Sequence, residues 1–274
     1  MKELFIRTLS GIVYAALLIM SLLNETALVL LFAVFGFLSL IEFSKLIKLK
    51  SYIQYIIFIV LYFGFCFFSI YNADFKGSDE AVQILLVISI FVNLLLLKDL
   101  FTSRKIPLFE SKRYVLTTFY LSSSFIFLLL IAHYHNTFSP LLLLGSFILI
   151  WINDSGAYMV GKNLGKQKLF PSISPKKTVE GFLGGLFIAC VSSYFIFIYT
   201  ATLSFTSWLI LAITVSVLGT FGDLIESKFK RQAEVKDSGV LMPGHGGILD
   251  RLDSIIFASP FIYLFLRIIS SYVS

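Results

Sequence analysis

The sequence alternates between long apolar runs and short polar connections over its whole length. A transmembrane helix needs about 20 predominantly apolar residues to cross a bilayer, and nine runs approach that length. They lie near residues 8–23, 26–44, 52–72, 81–97, 114–132, 139–160, 180–199, 206–226 and 250–271. Nine such spans would use about 180 residues, which leaves connections but no separate soluble domain. The pattern predicts an all-α, polytopic membrane protein with about nine transmembrane helices.

Most basic residues lie in every second connection. All but three of the 22 lysines and arginines lie in the N-terminal tail or in connections near residues 45–50, 98–113, 162–177 and 228–236. Because cytoplasmic connections carry an excess of Lys and Arg, this distribution predicts a cytoplasmic N-terminus, and an odd number of spans places the C-terminus outside. The net charge of +6 is typical of loops that face anionic lipid and phosphate ligands. We expect no nucleic-acid partner, since aromatic residues do not alternate with the basic ones.

Acidic residues gather where two predicted spans approach a common loop. Asp223 closes the span at 206–226, and Asp250 and Asp253 open the next one, three residues apart on one helical face. If the two helices are antiparallel neighbours, the three carboxylates converge at one membrane edge. Two charges about 4 Å apart cost about 4 kcal/mol at an effective dielectric constant of 20. Because Mg²⁺ is usually held by a few carboxylates and substrate phosphates, the convergence predicts a magnesium site.

The loop between these spans offers groups that bind phosphate. Its segment 243–247 reads Pro-Gly-His-Gly-Gly, which can turn backbone N–H groups toward an anion. Lys230 and Arg231 can clamp phosphate oxygens. A metal ion, a cationic clamp and a backbone anion site together suit phosphoryl or nucleotidyl transfer. Three carboxylates and a triphosphate carry more negative charge than one Mg²⁺ offsets, so a second cation is an open alternative.

Two blocks of residues have the spacing of a known family signature. The first block contains Ser227, Phe229, Lys230, Arg231, Lys236, Asp237, Gly239, Pro243, His245, Gly246, Gly247, Asp250, Arg251 and Asp253. The second contains Trp151, Asp154, Ser155, Gly156, Ala157, Tyr158, Gly161, Gly165, Lys166, Lys168, Pro171, Ser174, Pro175, Lys177, Glu180 and Gly181. This arrangement resembles the phosphatidate cytidylyltransferases, also called CDP-diacylglycerol synthases. The resemblance covers roughly residues 150–255, whereas the first 140 residues match only as hydrophobic spans.

The resemblance implies an activity and a set of site residues. The implied reaction transfers CMP from CTP to phosphatidic acid, with Mg²⁺, at the cytoplasmic face of a bacterial-type cell membrane. The implied catalytic residues are Asp223, Lys230, Asp250 and Asp253, with the three aspartates as metal ligands. The expected substrate-binding residues are Asp154, Ser155, Lys176, Lys177, Ser227, Arg231, Lys236, Asp237, His245, Gly246, Gly247 and Arg251. A homodimer is a family-level expectation only.

The same reasoning divides the chain into two regions. Residues 1–140 are expected to form a scaffold of transmembrane helices that gives access to lipid. Residues 141–274 are expected to form the catalytic region, with cytoplasmic loops at 161–179 and 228–249.

Several alternatives stay open at this point. Glu42 lies near the inner end of the second span, where it can pair with Lys45 or face the bundle near the site. Asp154 can form a salt bridge with the next basic loop, and Asp250 can be the N-cap of the last helix. A related synthase acting on ether lipids would share this chemistry. A transporter would need charges near the midplane and broken helices in paired halves, whereas these charges gather at one edge.

Overall fold

The computed structural model describes residues 2–72, 77–102, 104–134, 137–244 and 246–273. Within these ranges the chain forms nine helices, two of which contain a π-helical segment, at Phe67–Tyr71 and at Leu116–Ser122. The helices are α1 (Lys2–Ser21), α2 (Glu25–Leu46), α3 (Ile53–Tyr71), α4 (Ser78–Phe101), α5 (Glu110–Ala132), α6 (Pro140–Leu164), α7 (Val179–Thr200), α8 (Phe205–Gln232) and α9 (Leu249–Val273). Between α6 and α7, β1 (Lys168–Phe170) and β2 (Ser174–Thr178) form an antiparallel hairpin.

Eight of these helices, α2 to α9, are long and apolar enough to cross a membrane, and each coincides with a predicted span. The apolar part of α1, Thr8–Ser21, is shorter than such a span. The prediction of an all-α, polytopic membrane protein is therefore confirmed. The ninth crossing and the cytoplasmic N-terminus stay predictions.

The bundle is built around α5. Of the most apolar 18-residue stretch of each helix, 83% of the residues are buried in α5 and 22% in α3, so α5 is enclosed by other helices and α3 lies at the periphery. The exposed side chains of α3 and α4 include Ile56, Val60 and Val87. Apolar side chains on the outer surface are expected where lipid covers the protein.

Small residues allow close approach at the two helix pairs that carry the charged motifs. Gly222 of α8 packs against α9, and a Cβ atom there would lie 2.7 Å from the carbonyl oxygen of Asp253. Gly185 of α7 similarly faces the backbone of Asn153 on α6. Interfaces between transmembrane helices are enriched in glycine because it lets two backbones come together. These contacts fix how the polar ends of α6, α7, α8 and α9 face one another.

Polar side chains join α9 to the N-terminal helices within the bundle. Pro260 lies inside α9 and cannot donate a backbone hydrogen bond to the carbonyl of Ile256. The Ser259 hydroxyl lies 3.2 Å from that carbonyl oxygen and 3.2 Å from the Ser124 carbonyl oxygen on α5. Asn93 of α4 donates to the Phe257 carbonyl at 3.3 Å. The two predicted regions thus pack together, while their division into scaffold and catalytic parts stays a prediction.

The two predicted loops are shorter than expected. Helix α6 continues through Leu164 and is followed by the hairpin, and α8 continues through Gln232. The last turns of α8 are held by the segment after α4, because Lys228 donates to the carbonyl of Thr102 at 2.7 Å and Gln232 to that of Ile106 at 2.9 Å. The connection to α9 therefore begins at residue 233 rather than 228.

Candidate active site

The ends of α6 and α8, the starts of α7 and α9 and the hairpin enclose a cavity of about 660 Å³. This volume lies in the range of small-molecule sites, about 300 to 1,000 Å³. The lining includes side chains of both charges: Asp154, Lys162, Lys168, Lys176, Lys177, Asp223, Lys230, Asp237, Asp250, Arg251 and Asp253. All four predicted catalytic residues thus face one space, together with five of the predicted substrate-binding residues.

Three carboxylates form a cluster at the α8–α9 contact. Asp223, Glu226 and Asp253 each offer an oxygen, and these oxygens lie within 4.8 Å of one another. Asp223 and Glu226 share a face of α8 because they are three residues apart, and Asp253 reaches them because Gly222 lets α9 approach. Glu226 is fully buried, and its Oε1 atom has no hydrogen-bond partner in the described part of the chain. A buried, unsatisfied carboxylate oxygen is costly, so this cluster fits a hard cation that prefers oxygen ligands.

Lys230 bridges α8 and α9 beside the cluster. Its ammonium group forms an ion pair with Glu226 one turn earlier on α8 and with Asp250 Oδ1 at 2.6 Å. The lysine side chain is only 10% exposed. Buried charges of opposite sign are stable together only when well paired, so removing Lys230 would leave both carboxylates without their cationic partner.

Asp250 organises the loop before α9. Its Oδ2 atom accepts hydrogen bonds from the Ser238 backbone at 2.9 Å, the Ser238 hydroxyl at 2.9 Å and the Gly247 backbone at 2.7 Å. An N-cap side chain accepts from N–H groups that follow it in the helix, whereas these donors precede α9. Asp250 therefore holds the loop and is not the N-cap that the sequence allowed. With Lys230 on Oδ1 and these donors on Oδ2, Asp250 does not belong to the carboxylate cluster in this structure. Its role as a metal ligand stays a prediction.

The hairpin brings a cation to the carboxylate cluster. Lys177 Nζ lies 2.6 Å from Asp223 Oδ2, and the Ser227 hydroxyl donates to Asp223 Oδ1 at 3.2 Å. The hairpin is joined to α7 by Glu180, which accepts from the Lys166 backbone at 2.9 Å. The Thr178 side chain caps α7 by accepting from Gly181 N at 3.1 Å. Lys176 and Lys177 both line the cavity, and their binding of phosphate stays a prediction.

Other predicted substrate-binding residues have different surroundings. Asp154 lines the cavity and accepts from the Asn153 amide at 3.3 Å, whereas neighbouring Ser155 is exposed outside it. Lys236 is also exposed outside the lining. Arg231 turns away from the cavity and donates to the carbonyls of Ile173 at 3.3 Å and Val235 at 3.2 Å.

Arg231 contributes instead to a second cavity of about 360 Å³. The other basic residues lining it are Arg104, Lys105 and Lys228, and the hairpin contributes Phe170, Ser172 and Ile173. The adjacent residues Lys230 and Arg231 therefore serve different cavities, because successive residues on a helix point in directions about 100° apart.

Two backbone N–H groups of the predicted anion site, among the described residues of the Gly-rich segment, are engaged within the protein. The Gly247 N–H binds Asp250, and the Gly246 N–H donates to the Met242 carbonyl at 3.1 Å. Gly246 has a φ of 91°, which favours glycine. His245 lies outside the described residues. Phosphate binding by Gly246 and Gly247 stays a prediction.

Two acids of this region were absent from the predicted site. Glu226 could have been included from sequence, because it lies three residues after Asp223 and four before Lys230. Glu42 of α2 reaches the start of α9, with its carboxylate accepting from Leu249 N at 2.9 Å. The only feature of the sequence that pointed to a functional role for Glu42 was the presence of a carboxylate inside an apolar span.

Comparison with known proteins supports the motif assignment. The phosphatidate cytidylyltransferase of Bacillus subtilis (strain 168) is 52% identical over 124 residues, which are 45% of this chain and 46% of that protein. The phosphatidate cytidylyltransferase of Staphylococcus aureus (strain COL) is 47% identical over 126 residues, 45% of this chain and 48% of that protein. The matched part spans about half the length of these curated relatives.

A family-wide comparison covers much more of the chain. The model described as "Cytidylyltransferase family" matches residues 5–269, nearly the entire sequence. The family resemblance that the two motif blocks predicted is thereby confirmed. This chain belongs to the cytidylyltransferase family.

Proposed function

We propose that this protein is a phosphatidate cytidylyltransferase, which converts CTP and phosphatidic acid to CDP-diacylglycerol and pyrophosphate. The observation that carries the proposal is the juxtaposition of buried carboxylates with lysines in one cavity at the end of a transmembrane bundle. Such a cavity can hold a charged nucleotide while the acyl chains of a lipid substrate stay in the bilayer. The names of the similar bacterial proteins support the same substrates.

We place the cavity on the cytoplasmic side, where nucleoside triphosphates are found. The basic connections gather at this end of the bundle: Arg113 donates to the Lys48 carbonyl at 3.0 Å, and Lys228 reaches the segment that follows α4. An excess of Lys and Arg is typical of cytoplasmic connections. The charge distribution and the substrate requirement therefore support the same orientation.

The carboxylate cluster is suited to Mg²⁺. Asp223 and Asp253 would hold the ion together with Glu226, whose unpartnered buried oxygen supplies the reason to add it to the predicted set. When bound, Mg²⁺ neutralises charge on the phosphates and on the departing pyrophosphate. A second cation remains part of the proposal, because the triphosphate brings further negative charge.

The side chains of the protein bind, orient and neutralise the reactants. Lys176 and Lys177 on the hairpin bind phosphate oxygens of CTP, and Lys230, held by Asp250 and Glu226, keeps its ammonium group at the cavity wall. A phosphatidate oxygen attacks the α-phosphorus of CTP, a new P–O bond forms, and the bond to the β-phosphate oxygen breaks to release pyrophosphate. A phosphate monoester has a second pKa of about 6, so it is already anionic and needs no general base. Positioning and charge neutralisation supply the acceleration.

The test is turnover by purified protein in detergent. The protein is incubated with phosphatidic acid and each of the four nucleoside triphosphates, with and without Mg²⁺, while pyrophosphate and labelled lipid are measured. We expect product only with a cytidine nucleotide and Mg²⁺. Equal turnover with all four nucleotides, or none with CTP, would contradict the proposal. Parallel assays with ester-linked and ether-linked phosphatidic acids separate this enzyme from an ether-lipid synthase.

A further inference from the structure

A buried glutamate of α2 contacts the loop that carries the motif residues. Glu42 is 2% exposed. Its Oε1 atom accepts from the Ile248 backbone at 3.3 Å, and its Oε2 atom accepts from the Leu249 backbone at 2.9 Å and from the Ser238 hydroxyl at 3.2 Å. These partners lie about 200 residues away in the sequence.

The carboxylate stabilises the start of α9 from a different helix. The first N–H groups of a helix have no partner within it, and a negative charge there interacts favourably with the helix dipole. Glu42 satisfies the N–H group of Leu249, the first residue of α9, and that of Ile248 before it. Asp250 and Asp253 follow in the first turns, so Glu42 fixes the end of the helix that presents them.

Ser238 links Glu42 to Asp250. Its hydroxyl lies 3.2 Å from Glu42 Oε2 and 2.9 Å from Asp250 Oδ2. A hydroxyl has one proton to donate, so the two carboxylates share one donor. Asp250 in turn holds Lys230 at 2.6 Å. A continuous set of polar contacts therefore runs from α2 to the cavity.

The loop backbone is shaped around the same carboxylate. A side chain at Gly239 would collide with Glu42, and one at Gly247 would collide with both Glu42 and Ser238. Glycine at these positions lets the backbone come close to the acid. The fit is a second observation, independent of the hydrogen bonds, that the loop and Glu42 are matched.

We propose that Glu42 is a positioning residue for cytidylyl transfer. It acts through Ser238 and the start of α9, which hold Asp250 and Lys230 in place at the cavity. The proposal rests on the proposed function above. It assigns the N-terminal helices a direct part in the geometry of the site, beyond scaffolding and lipid access. The alternative from the sequence, a pair between Glu42 and Lys45, would instead make Glu42 a helix-end residue.

The central experiment compares Glu42→Gln with the unaltered protein. The carboxamide has nearly the same shape but replaces one acceptor oxygen with a donor, which faces N–H groups. We expect kcat to fall by about 100-fold, as small misplacements of reacting groups can cause, while KM for phosphatidic acid is unchanged. Glu42→Asp, which keeps the charge, should recover part of kcat. Unchanged kcat in Glu42→Gln would overturn the proposal.

Two control variants separate the alternatives. Glu25→Gln makes the same change at the other end of α2, where Glu25 lies 3.5 Å from His133, and should leave turnover unchanged. Lys45→Met removes the exposed lysine of the alternative pair and should also leave turnover unchanged. A loss in Lys45→Met equal to that in Glu42→Gln would support the helix-end pair and contradict the positioning role.

A double-mutant cycle tests the fit even where a single variant is poorly stable. Gly239→Ala should reduce kcat because its methyl group meets Glu42. In a Glu42→Asp background the shorter side chain makes room, so the same change should cost less. Equal costs in the two backgrounds would show that the contact does not position the loop.

A structural readout distinguishes failure of this inference from failure of the proposed function. Amide hydrogen exchange of Glu42→Gln in detergent should rise at residues 238–249 and stay unchanged in the apolar part of α8. This measurement requires no substrate. If the unaltered protein made no CDP-lipid, the proposed function would fail while the exchange pattern still tested the contact. Unchanged exchange at 238–249 would refute the positioning role by itself.

Discussion

The two walls of the main cavity carry opposite charges and differ in how firmly they are held. One wall, here called the acidic wall, is formed by α8 and α9: Asp223, Asp250 and Asp253 line the cavity there with Lys230 and Arg251, and Glu226 joins Asp223 and Asp253 in the carboxylate cluster. The other, the basic wall, consists of Lys168, Lys176 and Lys177 on the hairpin. On the acidic wall, Glu226 is fully buried, Asp253 is 8% exposed and the side chain of Asp223 is 32% exposed; on the basic wall, Lys168 and Lys176 are exposed and the side chain of Lys177 is 27% exposed.

The difference between the walls suggests that they bind different groups. The acidic wall lies on two closely packed helices, and Asp250 and Glu42 add hydrogen bonds that fix the loop between them. The basic wall is a short hairpin, which Lys177 joins to the acidic wall through its ion pair with Asp223. A rigid acidic wall suits the binding of a cation in fixed geometry. A more exposed basic wall suits a polyphosphate, which must enter and leave.

The largest effect is expected from the residue that joins the acidic wall to its loop. Asp250→Asn keeps the size of the side chain but removes one of the two carboxylate charges that hold Lys230. We expect CDP-lipid formation to fall by about 1000-fold, to the background of the assay, in a protein that still folds and inserts. Asp79→Asn in the first turn of α4 is the matched control. Near-normal turnover of Asp250→Asn would refute its assignment.

A smaller effect is expected within the carboxylate cluster. Glu226→Gln should raise the Mg²⁺ concentration needed for half-maximal turnover by about 10- to 100-fold, because a cation ligand is weakened. A Mg²⁺ titration of the rate measures this shift. Glu234→Gln, an exposed position just after α8, should leave the titration unchanged. An unaltered Mg²⁺ requirement in Glu226→Gln, with full turnover, would remove Glu226 from the proposed ion site.

A change in the basic wall should alter substrate binding rather than the cation requirement. Lys177→Met removes a charge-assisted contact, and we expect KM for CTP to rise by about tenfold, as loss of one such hydrogen bond implies. Lys166→Met, on the same connection but outside the cavity lining, should have little effect. If Lys177→Met instead changed only the Mg²⁺ titration, the two walls would not have separate roles.

The smallest effect is expected where the basic wall joins α7. Thr178→Ala removes the side-chain cap of that helix and should lower the free energy of unfolding by about 1 kcal/mol. Chemical denaturation in detergent measures the loss, and Thr178→Ser, which keeps the hydroxyl, should restore most of it. Equal stabilities of the alanine and serine variants would argue against the cap.

The sequence predicted those features that depend on local spacing. The spans follow from hydrophobic length, and the approach of Asp223 to Asp253 follows from two neighbouring helices with a glycine at their contact. Glu226 follows from the same helical spacing, although it was left out of the predicted site. Arg231 was placed in the cavity because α8 was expected to end earlier; once the helix includes Gln232, adjacent residues cannot point the same way.

Other features depend on contacts between distant parts of the chain. Asp250 is engaged by Ser238 because the loop folds back over the start of α9, and no local pattern specifies that path. Glu42 meets Leu249 across more than 200 residues of sequence. Its span looked like one more apolar helix with a charge near its end. Such partnerships are set by how the helices pack, which hydrophobic periodicity alone does not determine.

The hairpin contributes residues to both cavities. Lys168, Lys176 and Lys177 border the larger cavity, and Phe170, Ser172 and Ile173 border the smaller one. Because the same hairpin borders both cavities, a shift of the hairpin would change the shape of both. A molecule bound beside Arg104 and Lys105 in the smaller cavity would therefore contact the same hairpin that carries the lysines of the larger cavity, without contacting the carboxylates.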